Sequence, residues 1–312
     1  MADKNFLSIL LNQVVVGDPL PTSVYVFINF RFITFRTEGD TIDRMTYDRL
    51  EFRKVKTLFI AEEDKGKFAQ WSAQRAAEEV PLKLSAKDEK FRAVRDDVHR
   101  KTMDIFLSSH PDKIVAQTLE SSKRLVDEVM KYPFAVKPLS LLQGYSKGTV
   151  DHSVNVSILS VYLAQQMGYT HQLILQHIGS GALLHDIGKP RVQIEDSDSK
   201  EKMEEKMKAH VDLGIALLDS EGKVPNEVKL IIAQHHEFND GTGYPKKLKG
   251  GGIYDLARIV VIANAFDGLV ADGQGTLVER QRKALTTIDQ VMFRQFDPQK
   301  LEKAIKILKL GV

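Results

Sequence analysis

Hydrophobic and polar positions change their period at about Lys67, from that of strands to that of helices. Between Val24 and Phe35, Ile28, Phe30 and Phe32 alternate with Asn29 and Arg31, the period of two expected of a strand with one buried face. Glu38-Gly39-Asp40 reads as a turn, Thr46 to Leu50 as a helical turn, and Val55 to Ile60 as a second strand. Residues 1–62 are therefore expected to form a small β-rich module. It contains no catalytic constellation, so the pattern points to regulation or partner docking.

From about Lys67 the period becomes helical. Trp71 lies in an Ala- and Gln-rich stretch, and Phe91, Val94, Val98, Ile105 and Phe106 recur at intervals of three and four. Val115, Leu119, Leu125, Val126, Val129 and Met130 mark a further amphipathic helix. Tyr132-Pro133 should end it, because a residue before proline is pushed out of the α region. Residues 63–135 read as a helical connector, and no heptad persists long enough to predict a coiled coil. Beyond residue 136 the pattern stays helical. His152 shares a face with Val156, Leu159 and Leu163; one helix spans Gly179 to Lys189, another begins at His210, and another runs from Pro225 to His236. The charged run Glu195 to Lys208 reads as a solvated helix or a loop over a site. Asp297-Pro298 has the form of an N-cap followed by proline at the first helical position, ahead of Leu301, Ala304, Ile305 and Leu308.

Composition narrows the chemistry. With 312 residues, 43% hydrophobic and 28% charged, the chain is expected to be a soluble protein of two or three domains. No apolar run approaches the roughly 20 residues that span a bilayer, and the N-terminus lacks a basic region followed by an apolar one; a cytoplasmic location without membrane insertion is expected. A net charge of +2 gives no reason to expect a DNA or RNA partner. There are no cysteines, so a metal site here must use imidazole and oxygen ligands.

The chemistry-bearing residues cluster between His185 and Pro245. Leu-Leu-His185-Asp186-Ile-Gly-Lys189 opens the stretch, His210 follows with Gly214, and His235-His236-Glu237-Phe-Asn-Asp240-Gly241-Thr-Gly243-Tyr244-Pro245 closes it. Upstream lies His152-Ser-Val-Asn-Val. A lone histidine on an apolar face is more often a buried structural residue than a ligand, but these stand together. With these motifs, residues 140 to 300 resemble the HD-GYP family of the HD superfamily, bacterial phosphodiesterases that hydrolyse cyclic di-GMP.

The resemblance implies an α+β chain: a small β-containing N-terminal regulatory module, then an all-α HD-type domain over residues 136–312. It implies two divalent cations, iron or manganese, with zinc, nickel and magnesium as alternatives, and in-line hydrolysis of cyclic di-GMP to linear pGpG or GMP. Asp186 would bridge the cations, His152, His185 and Asn264 would complete one, and His210, His235 and His236 the other. Each imidazole must be neutral to bind, so occupancy should fall in acid. Two cations sharing a water lower its pKa from about 15.7 towards neutrality and yield a hydroxide that attacks phosphorus opposite the leaving 3′ oxygen. Lys189 would face the developing charge; otherwise it is a surface lysine at a helix end. Glu237 and Asp240 read as carboxylates that orient ligand histidines through the second ring nitrogen. Gly241, Gly243 and Pro245 should shape a turn, and Tyr244 either meets a guanine or packs the loop. Lys246, Lys247 and Lys249 could attract a dinucleotide, or simply be solvated. His177 is a spare ligand candidate, although a structural role is the plainer reading for it, as for His99, His110 and His171.

Two positions depart from the family pattern. Ile262-Ala-Asn264-Ala-Phe-Asp267 has an asparagine where the family has an aspartate, a neutral oxygen in place of a charged one, with Asp267 nearby to compensate. After Leu269 the family's Arg-x-Tyr-Arg is replaced by Val-Ala-Asp-Gly-Gln-Gly. The departures leave other readings open: a protein that senses a cyclic dinucleotide or docks a protein through the GYP loop or the N-terminal module, and a hydrolase for another cyclic dinucleotide. Oligomeric state is left open.

Overall fold

A computed structural model describes residues 5–14, 17–28, 31–43, 46–47, 49–50, 53, 55–78, 86–107, 112–131, 148–195, 197–220 and 224–310. They fall into two compact units, one drawn from residues 1–83, 143–148 and 271–280, the other from 84–142, 149–270 and 281–312. The first holds an antiparallel sheet of β1 (Phe6–Leu10), β2 (Val24–Ile28), β3 (Arg31–Arg36) and β4 (Thr57–Ala61), in the order β1-β4-β2-β3. Helix α1 (Lys65–Glu78) follows. Ile9, Val24, Ile42, Leu58, Ile60 and Phe68 form the core of this unit, and Trp71 packs against it.

The segment Val24 to Phe35 is a hairpin rather than one strand, with Ile28 paired to Arg31. Asn29-Phe30, which lie outside the described residues, carry no glycine or proline to mark a reversal, so the alternation runs on through it. The expected burial fails as well: Ile28 is 50% exposed and Phe32 39% exposed. Phe32 instead stacks on Phe6 with ring centroids 4.0 Å apart and meets Phe27 and Phe59 at 4.7 and 5.1 Å. Strand β1 was not expected; as an edge strand of five residues it buries little and alternates weakly. The predicted second strand and the turn at Gly39, whose φ is +84°, are both present. Thr46, Tyr47, Arg49 and Leu50 are helical.

The second unit is helical: α2 (Ala86–Leu107), α3 (Asp112–Met130), α4 (Thr149–Gln166), α5 (Gln172–Leu184), α6 (Lys200–Met207), α7 (His210–Ser220), α8 (Asn226–Gln234), α9 (Asp255–Asp272), α10 (Leu277–Gln290) and α11 (Pro298–Lys309), with the last two residues of α9 and the first four of α10 counted in the first unit. At its centre is α4, buried at every position from Thr149 to Ala164 except Asn155. A helix apolar on all sides needs neighbours on all sides, and α2, α3 and α5 pack against it. The stripes read from sequence supply those contacts, with Phe91 and Val98 from α2 and Leu125, Val126 and Val129 from α3 in one core with α4. Tyr132-Pro133 lie outside the described residues. Asp297 caps α11, its carboxylate accepting from the amides of Gln299 and Lys300. No helix among the described residues is long and apolar enough to cross a membrane.

The helix expected from Gly179 to Lys189 begins at Gln172 and stops at Leu184. His185 and Asp186 stand in the tight turn after it, and this turn is pressed against the start of α7. A Cβ on Gly188 would lie 2.0 Å from the carbonyl oxygen of His210 and 2.6 Å from the amide nitrogen of Gly214. Both obstacles are backbone, so neither can swing away. Gly188→Ala should therefore lower the unfolding free energy by about 3 kcal/mol or more, whereas Gly268→Ala, in α9 with nothing within 4 Å of its Cβ, should raise it by up to about 1 kcal/mol. Denaturant titration of the two variants checks both signs.

Candidate metal centre

Five helical segments bring polar side chains to one buried place. His152 comes from the first turn of α4, His185 and Asp186 from the turn after α5, His210 from the first position of α7, and His235 and His236 from the end of α8. Asn264 and Asp267 lie on α9. The ligand-capable atoms of Asp186, His210, His235 and His236 lie within 4.8 Å of one another, and so do those of His152, His185 and Asp186. Asp186 belongs to both groups and faces each with a different oxygen. Its Oδ1 is 3.3 Å from His210 Nε2 and 3.8 Å from His235 Nε2, while Oδ2 is 3.2 Å from His185 Nε2. Lys189 Nζ lies 2.6 Å from Oδ2.

Hydrogen bonding at the far side of each ring decides what the near side offers. Nδ1 of His185, His210 and His235 donates to the carbonyl oxygens of Ala182, Met207 and Ile232, at 2.6, 2.7 and 2.6 Å. A carbonyl can only accept, so Nδ1 carries the proton and Nε2 of the neutral ring carries a lone pair. His210 and His235 thus point two lone pairs at each other across 3.1 Å. Nδ1 of His152 is 2.6 Å from Asp267 Oδ2, which leaves its Nε2 facing the Asn264 side-chain amide at 2.8 Å. His185 Nε2 and Asp186 Oδ1 are buried without a hydrogen-bond partner. Such a set is repulsive by itself and attractive around cations, so these residues fit divalent metals with nitrogen and oxygen preference.

Electrostatics favour the same protonation states. Burial, only partly offset by the Asp186 carboxylate, pushes His210 down to about 4. Burial and the neighbouring histidines hold His235 and His236 well below the usual imidazole range. For Asp186 burial alone would raise the carboxyl, but the groups around it, with the Lys189 ammonium 2.6 Å away, outweigh burial and keep it well below the usual carboxylate range. Neutral imidazoles around an ionised carboxylate are the forms a metal requires.

Other expected residues take different positions. Glu237 does not orient a histidine: its buried carboxylate accepts from the amides of Lys246 and Leu248, because the chain turns back over it. Asp240 likewise stays within the loop, accepting from the amide and hydroxyl of Thr242. The histidines do not need these carboxylates, since backbone carbonyls already hold three of their Nδ1 atoms. Gly241 has φ +80°, and a Cβ on Gly243 would lie 2.3 Å from the amide nitrogen of Phe238, so both are shaped by the loop. Tyr244 packs its ring on His236, with centroids 4.5 Å apart and planes 21° from parallel, and Pro245 follows in a cis linkage. Burial raises the Tyr244 hydroxyl far above its ordinary range, so it stays protonated. The charged run before His210 forms α6, which has no buried residue, yet its last residue, Met207, supplies the carbonyl that holds His210. His177 belongs to neither ligand group, His99 pairs with Asp151 at 2.9 Å, and His171 is exposed ahead of α5. His110 lies outside the described residues. Asn155, whose amide donates to Asp267 at 3.1 Å, was not anticipated; its place one turn after His152 was the available signal.

Comparison with known proteins agrees with this geometry. Residues 149–269 match the HD domain family. The chain is 32% identical over 156 residues to a cyclic di-GMP phosphodiesterase of Pseudomonas aeruginosa, covering 47% of this chain and 37% of that protein. It is 29% identical over 177 residues to one from Thermotoga maritima, covering 55% and 48%. A 3'3'-cGAMP-specific phosphodiesterase of Vibrio cholerae is 28% identical over 191 residues, covering 58% and 35%. The chain thus spans less than half the length of these relatives. A solved structure of a HDG"Y"P protein from Bdellovibrio bacteriovorus shares the fold over 98% of this chain and all of its own, with a TM-score of 0.61 at 23% identity. The stretch that carries His152, His185, Asp186, His210, His235, His236 and Asn264 is the stretch the family match covers: residues 149–269 match an HD domain.

Proposed function

We propose that this domain is a metal-dependent phosphodiesterase that opens cyclic di-GMP to linear pGpG or on to GMP. The observation that carries the reading is the double facing of Asp186, one oxygen towards His210 and His235 and the other towards His185. In this reading Asp186 would be shared by two cations, with His152, His185 and Asn264 available to hold one and His210, His235 and His236 the other. Iron or manganese suits a set of imidazole and oxygen donors without thiolate. When bound, the pair supplies Lewis acidity that brings the pKa of a water from about 15.7 towards neutrality and steadies the phosphoryl oxygens.

The chain's own residues do the rest. Backbone carbonyls hold His185, His210 and His235, and Asp267 holds His152, in the tautomer that leaves Nε2 free to bind. Lys189, with its side chain 20% exposed, is the cation beside Asp186 that can reach a charged substrate oxygen. Tyr244, braced on His236, sits where a base would approach the ligand set. Relatives named for cyclic di-GMP and for 3'3'-cGAMP both match, so the cyclic dinucleotide class is better supported than the identity of the base. Asn264 brings a neutral oxygen to His152 Nε2, and a loosely held ion there would leave a domain that senses the nucleotide more than it cleaves it.

The deciding experiment measures metal content together with product from cyclic di-GMP and from 3'3'-cGAMP, under reducing conditions with added iron or manganese. About two ions per chain and linear product are expected. Metal and nucleotide bound without product would leave the sensor, and protein that takes up no metal would remove both readings. Asn264→Asp adds a charge to the ligand set and should tighten the more weakly held ion, raising metal per chain or turnover; if metal content and activity both stay unchanged, position 264 is no ligand.

Acid should act through the same rings. In chelator-treated protein the unfolded chain binds a proton at His210 near its ordinary 6.5, while the folded chain resists until about 4. Stability from this group is therefore complete above pH 6.5 and is lost as pH falls to about 4, on the order of 3 kcal/mol in all. Denaturation of wild type and His210→Gln across that window should give a shallower decline for the variant.

A further inference from the structure

Helix α2 lies N-terminal to the stretch that matches the HD domain, yet it reaches the ligand set. Arg95, only 1% exposed, donates from Nη2 to Asn155 Oδ1 at 3.2 Å. Asn155 Nδ2 donates to Asp267 Oδ1 at 3.1 Å, and Asp267 Oδ2 accepts from His152 Nδ1 at 2.6 Å. One turn further along α2, His99 pairs with Asp151 at 2.9 Å. Residues four apart on α2 thus clasp residues four apart on α4, on either side of His152, with the helices running in opposite directions.

The direction of these hydrogen bonds is what matters. An asparagine amide has a donor end and an acceptor end and can be turned either way, and an imidazole can carry its proton on either nitrogen. A guanidinium can only donate. Placed at Asn155 Oδ1, it leaves Nδ2 to face Asp267, a carboxylate that only accepts. The other carboxylate oxygen then takes the His152 Nδ1 proton, and Nε2 is left bare towards Asn264. We infer that Arg95 is a positioning residue: through Asn155 and Asp267 it sets the tautomer and orientation of His152, so the metal site depends on a helix outside the matched domain. This rests on the metal reading only for its consequence, since the relay consists of hydrogen bonds within the chain.

Two readouts test it in the full chain. In metal-free protein, NMR of the His152 ring should show a strongly downfield Nδ1 proton bonded to Asp267. Arg95→Met, and independently Asn155→Ala, should shift that proton upfield or broaden it, while the Nδ1 protons of His185 and His235, held by carbonyls, stay put. With Mn2+ as probe, either variant should weaken binding about tenfold at one site, and a double-mutant cycle should find no further loss when either change is added to His152→Ala. Should Arg95→Met fail to fold, Asn155→Ala removes the next link and leaves both charged side chains in place, at the loss of one hydrogen bond to each. An unmoved His152 Nδ1 proton in a folded variant overturns the relay, and so does a loss of Mn2+ binding that persists undiminished in the His152→Ala background. If wild type binds no Mn2+ while the ring signal still depends on Arg95, the metal reading fails and the positioning role stands.

Discussion

An imidazole has one proton and two nitrogens, and the arrangement here follows from where that proton is held. Carbonyls one helical turn back take the Nδ1 protons of His185, His210 and His235, and Asp267 takes that of His152. Every one of these rings therefore presents a bare Nε2 inward. Around a carboxylate that its neighbours keep ionised, the result is a cluster of electron pairs in a buried space. Burial of so many acceptors is unfavourable unless a cation joins them, which is why the chemistry follows from the packing.

The scaffold earns its rigidity where the ligands leave regular helix. The His185-Asp186 turn and the start of α7 touch through Gly188 with no room for a side chain, so two ligand-bearing segments are locked at backbone distance. The signature loop is built differently. Glu237 is buried beneath it and gathers two of its amides, and Tyr244 lies on the ring of His236. The carboxylates of Glu237 and Asp240 organise the loop instead of orienting the histidines. The same helix α4 that carries His152 is buried almost throughout, and its one position not fully buried over that span, Asn155, is polar and bonded.

A ligand set held through its outer nitrogens can be influenced without being touched. Arg95 and His99 meet α4 on successive turns, and the polarity of one asparagine amide transmits the presence of a donor to the ring two bonds beyond. Asn264 offers His152 Nε2 a neutral side-chain amide at 2.8 Å, so the charged groups that act on this ring are Asp267 and, through Asn155, Arg95.

The sequence by itself brought out the residues that the structure gathers and the helical character of the part that carries them. His152, His185, Asp186, His210, His235 and His236 stood out as members of short motifs with a family resemblance, and they do converge; the apolar stripes of α2 and α3 were legible because burial imposes the helical period. The proton positions were not legible, since they depend on which carbonyl or carboxylate stands behind each ring. Nor were the task of Glu237, the approach at Gly188 and the reach of Arg95 to Asn155, because each joins groups that no local pattern relates. The hairpin at Ile28 was hidden for a similar reason: alternation reports a period of two and is silent about where the chain reverses. Residue identity sets what a side chain can donate or accept, and only the tertiary structure decides which partner uses it and which atom is left over for a ligand.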